Sequence, residues 1–310
     1  MNFTLHQLKI FTVIVEKKSI TKASEILNMT QPAVSIQLKN FQDQFDMPLT
    51  EIISRKLFVT DFGEEVYRIA IKILEDAEAL SYKTETFKGK LTGKLKISVV
   101  STGKYVMPYY LKDFLKLHPD IDLLMDVTNR RKVINSLELN EVDFALVSVL
   151  PDKIEVEEEI LMPDKLFLIA APAENVKPDL TKPYNKSIFE KIPLIYREEG
   201  SATRQKMEQY FTNAHIKPKI KLELATNEAI KQAVMAGIGC SIVSILSIKN
   251  ELKEKALHIL PVKGLPIRSN WMLVWNKKKK FSLVAESYLT HLRSNKTKIY
   301  ADHFSWVEKI

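Results

Sequence analysis

The chain holds a single cysteine, Cys240, in 310 residues. No internal disulfide can form, and nothing calls for an oxidising compartment. No run of about 18 apolar residues occurs, so no transmembrane helix is expected. The opening MNFTLHQLKIF lacks the basic region, apolar core and cleavage site of a secretory leader. The expected location is therefore the cytoplasm. Groups for catalysis are equally sparse. His6, His118, His215, His258, His291 and His303 are scattered without metal-ligand spacing. Gly237-Ile238-Gly239-Cys240 is no nucleophile elbow, and a lone GxG pair is weak support for a dinucleotide site. Cys240 sits in the apolar stretch AGIGCSIVSI and reads as an inert thiol. No metal, no cofactor and no enzymatic activity are expected.

What is present fits a folded chain of two or three domains: 45% apolar and 27% charged residues. The net charge is +8, yet residues 1–58 carry seven basic and five acidic side chains, leaving +2. Much of the excess lies elsewhere, for example at Lys277–Lys280, which reads as a solvated turn. Global charge therefore says little about nucleic acid, and local pattern must decide.

That pattern lies in residues 19–49, SITKASEILNMTQPAVSIQLKNFQDQFDMPL. A first helix opens at Ser19 or Thr21 and turns Ile20, Ala23, Ile26 and Leu27 inward. Asn28 and Met29 form a turn, and Thr30 is an expected N-cap with Pro32 in the following turn. Val34, Leu38, Phe41 and Phe45 then make one apolar stripe. Gln31, Ser35, Gln37, Lys39 and Gln42 face the other way, and such side chains suit base edges and phosphates. An earlier helix has Leu5, Leu8, Phe11 and Val15 inward, and Arg55-Lys56-Leu57-Phe58-Val59-Thr60 resembles a basic strand. Periodicity alone also fits an ordinary amphipathic helix pair. Three helices with a β-wing favour a helix-turn-helix that binds double-stranded DNA.

Residues 61–88 predict a long helix, with Val66, Ala70, Ile73, Ala77, Leu80, Thr84 and Phe87 in a heptad seam open to self-pairing. Gly89 and Gly93 break it. Beyond, strands at 94–100, 121–127, 143–149, 165–171, 219–224, 239–243 and 271–276 alternate with helices near 108–117, 130–139, 203–214, 227–236, 245–252 and 281–293. Such alternation implies α/β layers with largely parallel sheets.

LHQLKIFTVIVEKKSITKASEILNMTQPAVSIQLKNFQDQF resembles the winged helix-turn-helix of LysR-type transcriptional regulators. The likeness rests on Leu8, Phe11, Ser19, Ala23, Leu27, Thr30, Gln31, Pro32, Ala33, Ser35 and Leu38, and continues through Pro48-Leu49, Arg55, Thr60 and Gly63. Four positions depart from that family: Ile36 stands where an arginine is usual, Thr50 and Ile52 of Thr50-Glu51-Ile52 where Phe-Glu-Arg is usual, and Phe62 where a small residue precedes Gly63. The resemblance implies a multidomain α/β chain. It has a winged head (1–60), a linker and dimerisation helix (61–90), a bilobed domain similar to periplasmic binding proteins (91–295) and a tail (296–310). Lobe I would use about 94–162 and 268–295, and lobe II about 163–267. It further implies a dimer of dimers, a small-molecule effector, and polymerase recruitment through altered DNA bending. Expected DNA contacts are Thr30, Gln31, Pro32, Ser35, Gln37, Lys39, Arg55 and Lys56.

Two strand ends draw attention as ligand sites: Val100-Ser101-Thr102-Gly103-Lys104-Tyr105 and Glu199-Gly200-Ser201-Ala202-Thr203-Arg204. Each offers hydroxyls ahead of a helix start, which favours an anion. Ser and Thr at such places also serve simply as caps. By resemblance, Thr102, Asn129 and Thr203 match cleft-lining positions, with Ser101 beside them and Lys104 and Arg204 as the expected cations. VSTGKYVMPYYL is similar to regulators of carbon-fixation operons within the family. The competing reading is a cytoplasmic small-molecule binding protein whose helical head only dimerises.

Overall fold

A computed structural model describes residues 2–54, 56–87, 90–172 and 182–310, with the side chains of Glu75, Ala79 and 81–87 excepted. Arg55, expected in the wing, lies outside the described residues, as do the side chains of Thr84 and Phe87. The chain forms two compact units, Met1–Lys90 and Leu91–Ile310.

The first unit runs α1 (Leu5–Lys17), α2 (Ile20–Leu27), α3 (Gln31–Gln42), β1 (Thr50–Ile53), β2 (Lys56–Val59) and α4 (Asp61–Phe87). Its helix ends follow local chemistry. Thr4 and Gln7 form a capping box at α1, and the Ser19 hydroxyl accepts from Lys22 N at 3.3 Å to start α2. Asn28 ends α2 in the left-handed region at φ 52°. Thr30 stands at the N-cap of α3 but makes no capping bond, contrary to expectation, and its hydroxyl stays at the exposed surface. Leu8, Phe11, Val15, Ala23, Val34, Leu38 and Phe41 are buried together, whereas Leu5 and Ile26, expected inside, face solvent. Phe62 is accommodated by Phe45, its ring centroid 5.9 Å away. Gly63 is obligatory: a Cβ there would sit 2.0 Å from the Leu49 carbonyl oxygen.

The seam on α4 needs correction. Val66 and Ala70 are buried in the head's own core, with Ile73 partly buried against it. Ala77 is half-buried and Leu80 is 68% exposed. The start of α4 is therefore part of the head rather than a separate linker.

The second unit runs β3 (Gly93–Val100), a 3-10 turn (Ser101–Tyr105), α5 (Met107–Leu117), β4 (Ile121–Thr128), α6 (Arg130–Glu138), β5 (Phe144–Val147) and β6 (Val156–Ala170). It continues with α7 (Ile188–Lys191), β7 (Leu194–Arg197), α8 (Ala202–Ala214), β8 (Ile220–Leu224), α9 (Asn227–Met235) and β9 (Ser241–Ser244). A 3-10 turn (Ile245–Ser247), α10 (Lys249–Lys253), β10 (His258–Leu260), β11 (Ile267–Asn276) and α11 (Leu283–His303) complete it. Among the described residues the main sheet has the order β10-β6-β11-β5-β3-β4, with β9 also on β6. It is mixed, not largely parallel: β3 pairs parallel with β4 and β5, whereas β6 and β11 run antiparallel along most of their length. A parallel pair, β7 with β8, forms a separate two-stranded sheet, and Leu194 of β7 bridges to Cys240 just before β9.

The acidic run Glu155–Glu159 mostly belongs to the long strand β6, with Glu155, Glu157 and Glu158 exposed and Glu159 paired with Arg293 at 2.8 Å and with Lys296. Two further expectations change. The turn lysine Lys279 is not simply solvated, since it is mostly buried and lies 3.3 Å from Asp143. Residues 296–310 are no loose tail. α11 extends to His303, and Ile299, Phe304 and Val307 are buried in the core of this unit. Lys165 on β6 donates to the carbonyl oxygens of Glu308 and Ile310 at 3.2 and 2.8 Å.

Candidate functional site

On the head, α3 buries Val34, Leu38 and Phe41 and exposes Gln31, Pro32, Ile36, Lys39 and Asn40. Ser35 and Gln37 are half-buried on its flanks. Gln42 is used structurally: its Oε1 accepts from the Thr50 amide and hydroxyl at 2.9 and 2.7 Å, tying α3 to the wing. The wing hairpin pairs Glu51 with Phe58 and Ile53 with Lys56. Lys56, Ile52, Ile53 and Phe58 are exposed on it. Thr30, Gln31, Pro32, Lys39 and Lys56 are thus free to meet a partner surface, with Ser35 and Gln37 at its margin.

In the second unit, the end of β3 meets the starts of α6 and α8 around a polar cleft. Ser101, Thr102, Asn129 and Thr203 line it, as expected, and Ser148, Ser201, Ser244 and Trp271 join them. The cleft is narrow: the space open to the centre of a water-sized sphere is about 10 Å³, close to what one water requires. Asn129 and Ser201 also serve as caps, accepting from Lys132 N and Arg204 N. Both reasons advanced for these residues therefore apply at once. The starts of α6 and α8 both border the cleft, and a helix N-terminus favours negative charge.

The expected cations do not line it. Lys104 is exposed, its ammonium 5.1 Å from the Tyr105 ring centroid. Arg204 binds Glu208 at 2.7 Å and Glu223 at 2.5 Å. The (i, i+4) spacing to Glu208 was a visible sign of that alternative. The cationic side chains bordering the cleft are instead Arg130, Arg197 and Lys206.

Arg197 is 2% exposed and held on every side. Its guanidinium donates to both carboxylate oxygens of Glu198 at 2.8 and 3.0 Å, to Ser101 Oγ at 3.1 Å, and to Asn227 Oδ1. Asn227 in turn donates to Thr102 Oγ1 at 2.7 Å. The strand-end hydroxyls after β3 are thereby stitched to β7 and α9. Lys206 donates to Ser269 Oγ at 2.6 Å, and burial pushes its amine down to about 8 against the partial opposition of Asp164. Asp164 accepts from Ser244 Oγ at 2.6 Å, and burial pushes its carboxyl up to about 6 although Lys206 and Ser244 pull the other way. Near neutral pH both are ionised. Arg197 is matched by Glu198, Lys206 faces the Asp164 carboxylate, and Arg130 donates to the Leu150 carbonyl at 2.6 Å and lies 3.7 Å from Asp152, so three cations stand against one lining carboxylate around the cleft. Cys240 is half-buried, and burial raises its thiol to about 11, as suits an unreactive side chain. Among the described residues no cluster of three metal-ligating side chains occurs, and no helix is long and apolar enough to cross a membrane.

Residues 5–64 match the bacterial regulatory helix-turn-helix protein model, lysR family, and residues 88–296 match the LysR substrate binding domain. The chain belongs to the LysR family. This LysR-type protein is a DNA-binding transcriptional regulator with an effector-binding domain. It is 33% identical to a RuBisCO operon transcriptional regulator of Allochromatium vinosum over 97% of this chain and 99% of that one. It is 32% identical to the transcriptional activator CmpR of Synechocystis over 94% and 95%. Among solved structures, the Synechocystis CcmR regulatory domain in complex with 2-PG aligns at TM-score 0.62 and 28% identity, covering 66% of this chain and 98% of that domain. Full-length CbnR bound to its target DNA shares the fold at TM-score 0.69 and 19% identity, over 94% and 99% of the two chains.

Proposed function

We propose that this LysR-type regulator controls a carbon-fixation operon in response to a small anion carrying a phosphate or carboxylate, held in the cleft between β3, α6 and α8. The observation that carries the anion is the convergence of two helix starts with Lys206 and Arg130 on one hydroxyl-rich cleft. The relatives named for RuBisCO operon control, and the 2-PG complex of a similar domain, support the same reading. DNA is read by the exposed side of α3, with Gln31 and Ser35 at base edges and Thr30, Gln37, Lys39 and Lys56 at phosphates or bases. Pairing through the exposed end of α4 gives a homodimer, and a dimer of dimers is the working assembly. Anion binding shifts that assembly on DNA and so alters polymerase recruitment. The protein acts in the cytoplasm by binding alone, without a cofactor.

Calorimetry on the full chain tests the ligand. 2-PG should bind more tightly than inorganic phosphate, and Thr102→Val should weaken 2-PG by about tenfold, since it removes one hydroxyl from the Asn227–Arg197 network. Operator binding should be unchanged in that variant. Equal affinity for 2-PG in wild type and Thr102→Val would remove Thr102 from the site. No heat with 2-PG or with other phosphorylated acids would remove the anion.

A further inference from the structure

Ile36 is 58% exposed in the middle of a helix whose open side is otherwise mostly polar. At about 100° per residue it falls nearly opposite the buried line of Val34, Leu38 and Phe41. Pro32 lies one turn before it, Asn40 one turn after, and Lys39 beside it, all exposed. It is therefore an aliphatic side chain at the centre of the open side of α3.

We propose that Ile36 reads the 5-methyl group of a thymine in the major groove and so fixes one base pair of the operator. This rests on α3 being the helix that enters the groove. Every base edge in that groove offers hydrogen-bond donors or acceptors, and the thymine methyl is the apolar group displayed among them. Pressed against guanine O6 or N7, or against the amino group of adenine or cytosine, an aliphatic side chain strips water from a polar atom and returns no hydrogen bond. Against the methyl group it removes apolar surface from both partners. One residue thus favours the right base and penalises the others. Its β-branch holds χ1 in one rotamer within a helix, so little side-chain freedom is lost on contact. The adjacent Ser35 and Lys39 are left to deal with polar edges and phosphate, which keeps the apolar contact local.

The test uses the full chain and a randomised duplex library at moderate ionic strength. From an enriched duplex, each thymine is replaced in turn by uracil, which deletes only the methyl group, and affinity is measured by fluorescence anisotropy. One position is expected to weaken binding about fourfold per methyl lost, the worth of one buried methyl group. In Ile36→Ala that sensitivity should vanish, while the other thymines behave as before. Ile36→Arg should move the preference at the same base pair toward guanine. The proposal is overturned if every thymine tolerates uracil, or if methyl sensitivity persists in Ile36→Ala. It is equally overturned if Ile36→Ala changes oligomeric state in size-exclusion chromatography and leaves the uracil profile intact, which would make Ile36 a contact between copies. Failure to enrich any duplex would instead overturn the groove-reading role of α3 itself, and Ile36 with it.

Discussion

At the residue scale, charge in the ligand cleft is set by burial more than by count. Lys206 and Asp164 have their ionisation drawn toward neutrality from opposite sides, to about 8 and about 6. The sign follows directly. An amine lowered on folding gives up its proton more readily than in the open chain, so above about 8 the cleft loses a positive charge. Affinity for an anion should then fall between pH 7 and pH 9, a window in which a phosphate monoester with second pKa near 6 keeps a constant charge. Calorimetry with 2-PG across that window checks it, and Lys206→Met should give a flat profile. A raised carboxyl works the other way for folding. The stabilising contribution of Asp164 is complete below its ordinary value and is lost as pH rises through about 6. These two residues were not legible in the sequence. Asp164 lies within a strand and Lys206 within a helix, and they become neighbours only through long-range pairing of β6, β9 and β11 with α8. Lys104 and Arg204 attracted attention because they stand beside hydroxyls at strand ends. The (i, i+4) spacing points to Glu208 as one partner of Arg204, but nothing in sequence order reveals Glu223 on β8 as the other.

At the element scale, periodicity was a reliable guide where one element packs on its neighbours. The line of Val34, Leu38 and Phe41 on α3 and the start of α2 at Ser19 both match the pattern. It failed where one apolar line serves two partners. The seam on α4 continues at steps of three and four, but its first turns bury Val66 and Ala70 within the head, while Leu80 stays open. The pattern does not mark that change of partner. Two substitutions separate the roles. Ala70→Asp places a charge in a closed core and should unfold the head, lowering its thermal midpoint by several degrees. Leu80→Asp should leave the midpoint and helical content unchanged but shift the species seen by analytical ultracentrifugation toward monomer. An unaltered distribution in Leu80→Asp would place self-association elsewhere. Strand direction in the main sheet escapes the local pattern for a related reason. Strands alternating with helices suggest parallel order, yet β6 and β11 pair antiparallel along most of their length, a long-range pairing that the alternation does not encode.

At the scale of the whole molecule, a regulator must link what happens in the cleft to what happens on DNA, and linkage of equilibria is reciprocal. If 2-PG changes operator affinity by some factor, operator DNA must change the affinity for 2-PG by the same factor. Titrating 2-PG into the full chain with and without a saturating operator duplex is expected to give different affinities. Identical values would mean that the ligand controls transcription without changing DNA affinity. The Asn227–Thr102 and Arg197–Ser101 bonds are the natural place for the ligand's influence to start, because they join the β3 side of the cleft to the β7 and α9 side.

The tightness of that cleft has a kinetic consequence. In this conformation the cleft has room for about one water, so a metabolite that binds there needs the two sides to part first. Observed association rates should climb with metabolite concentration and then level off at the opening rate.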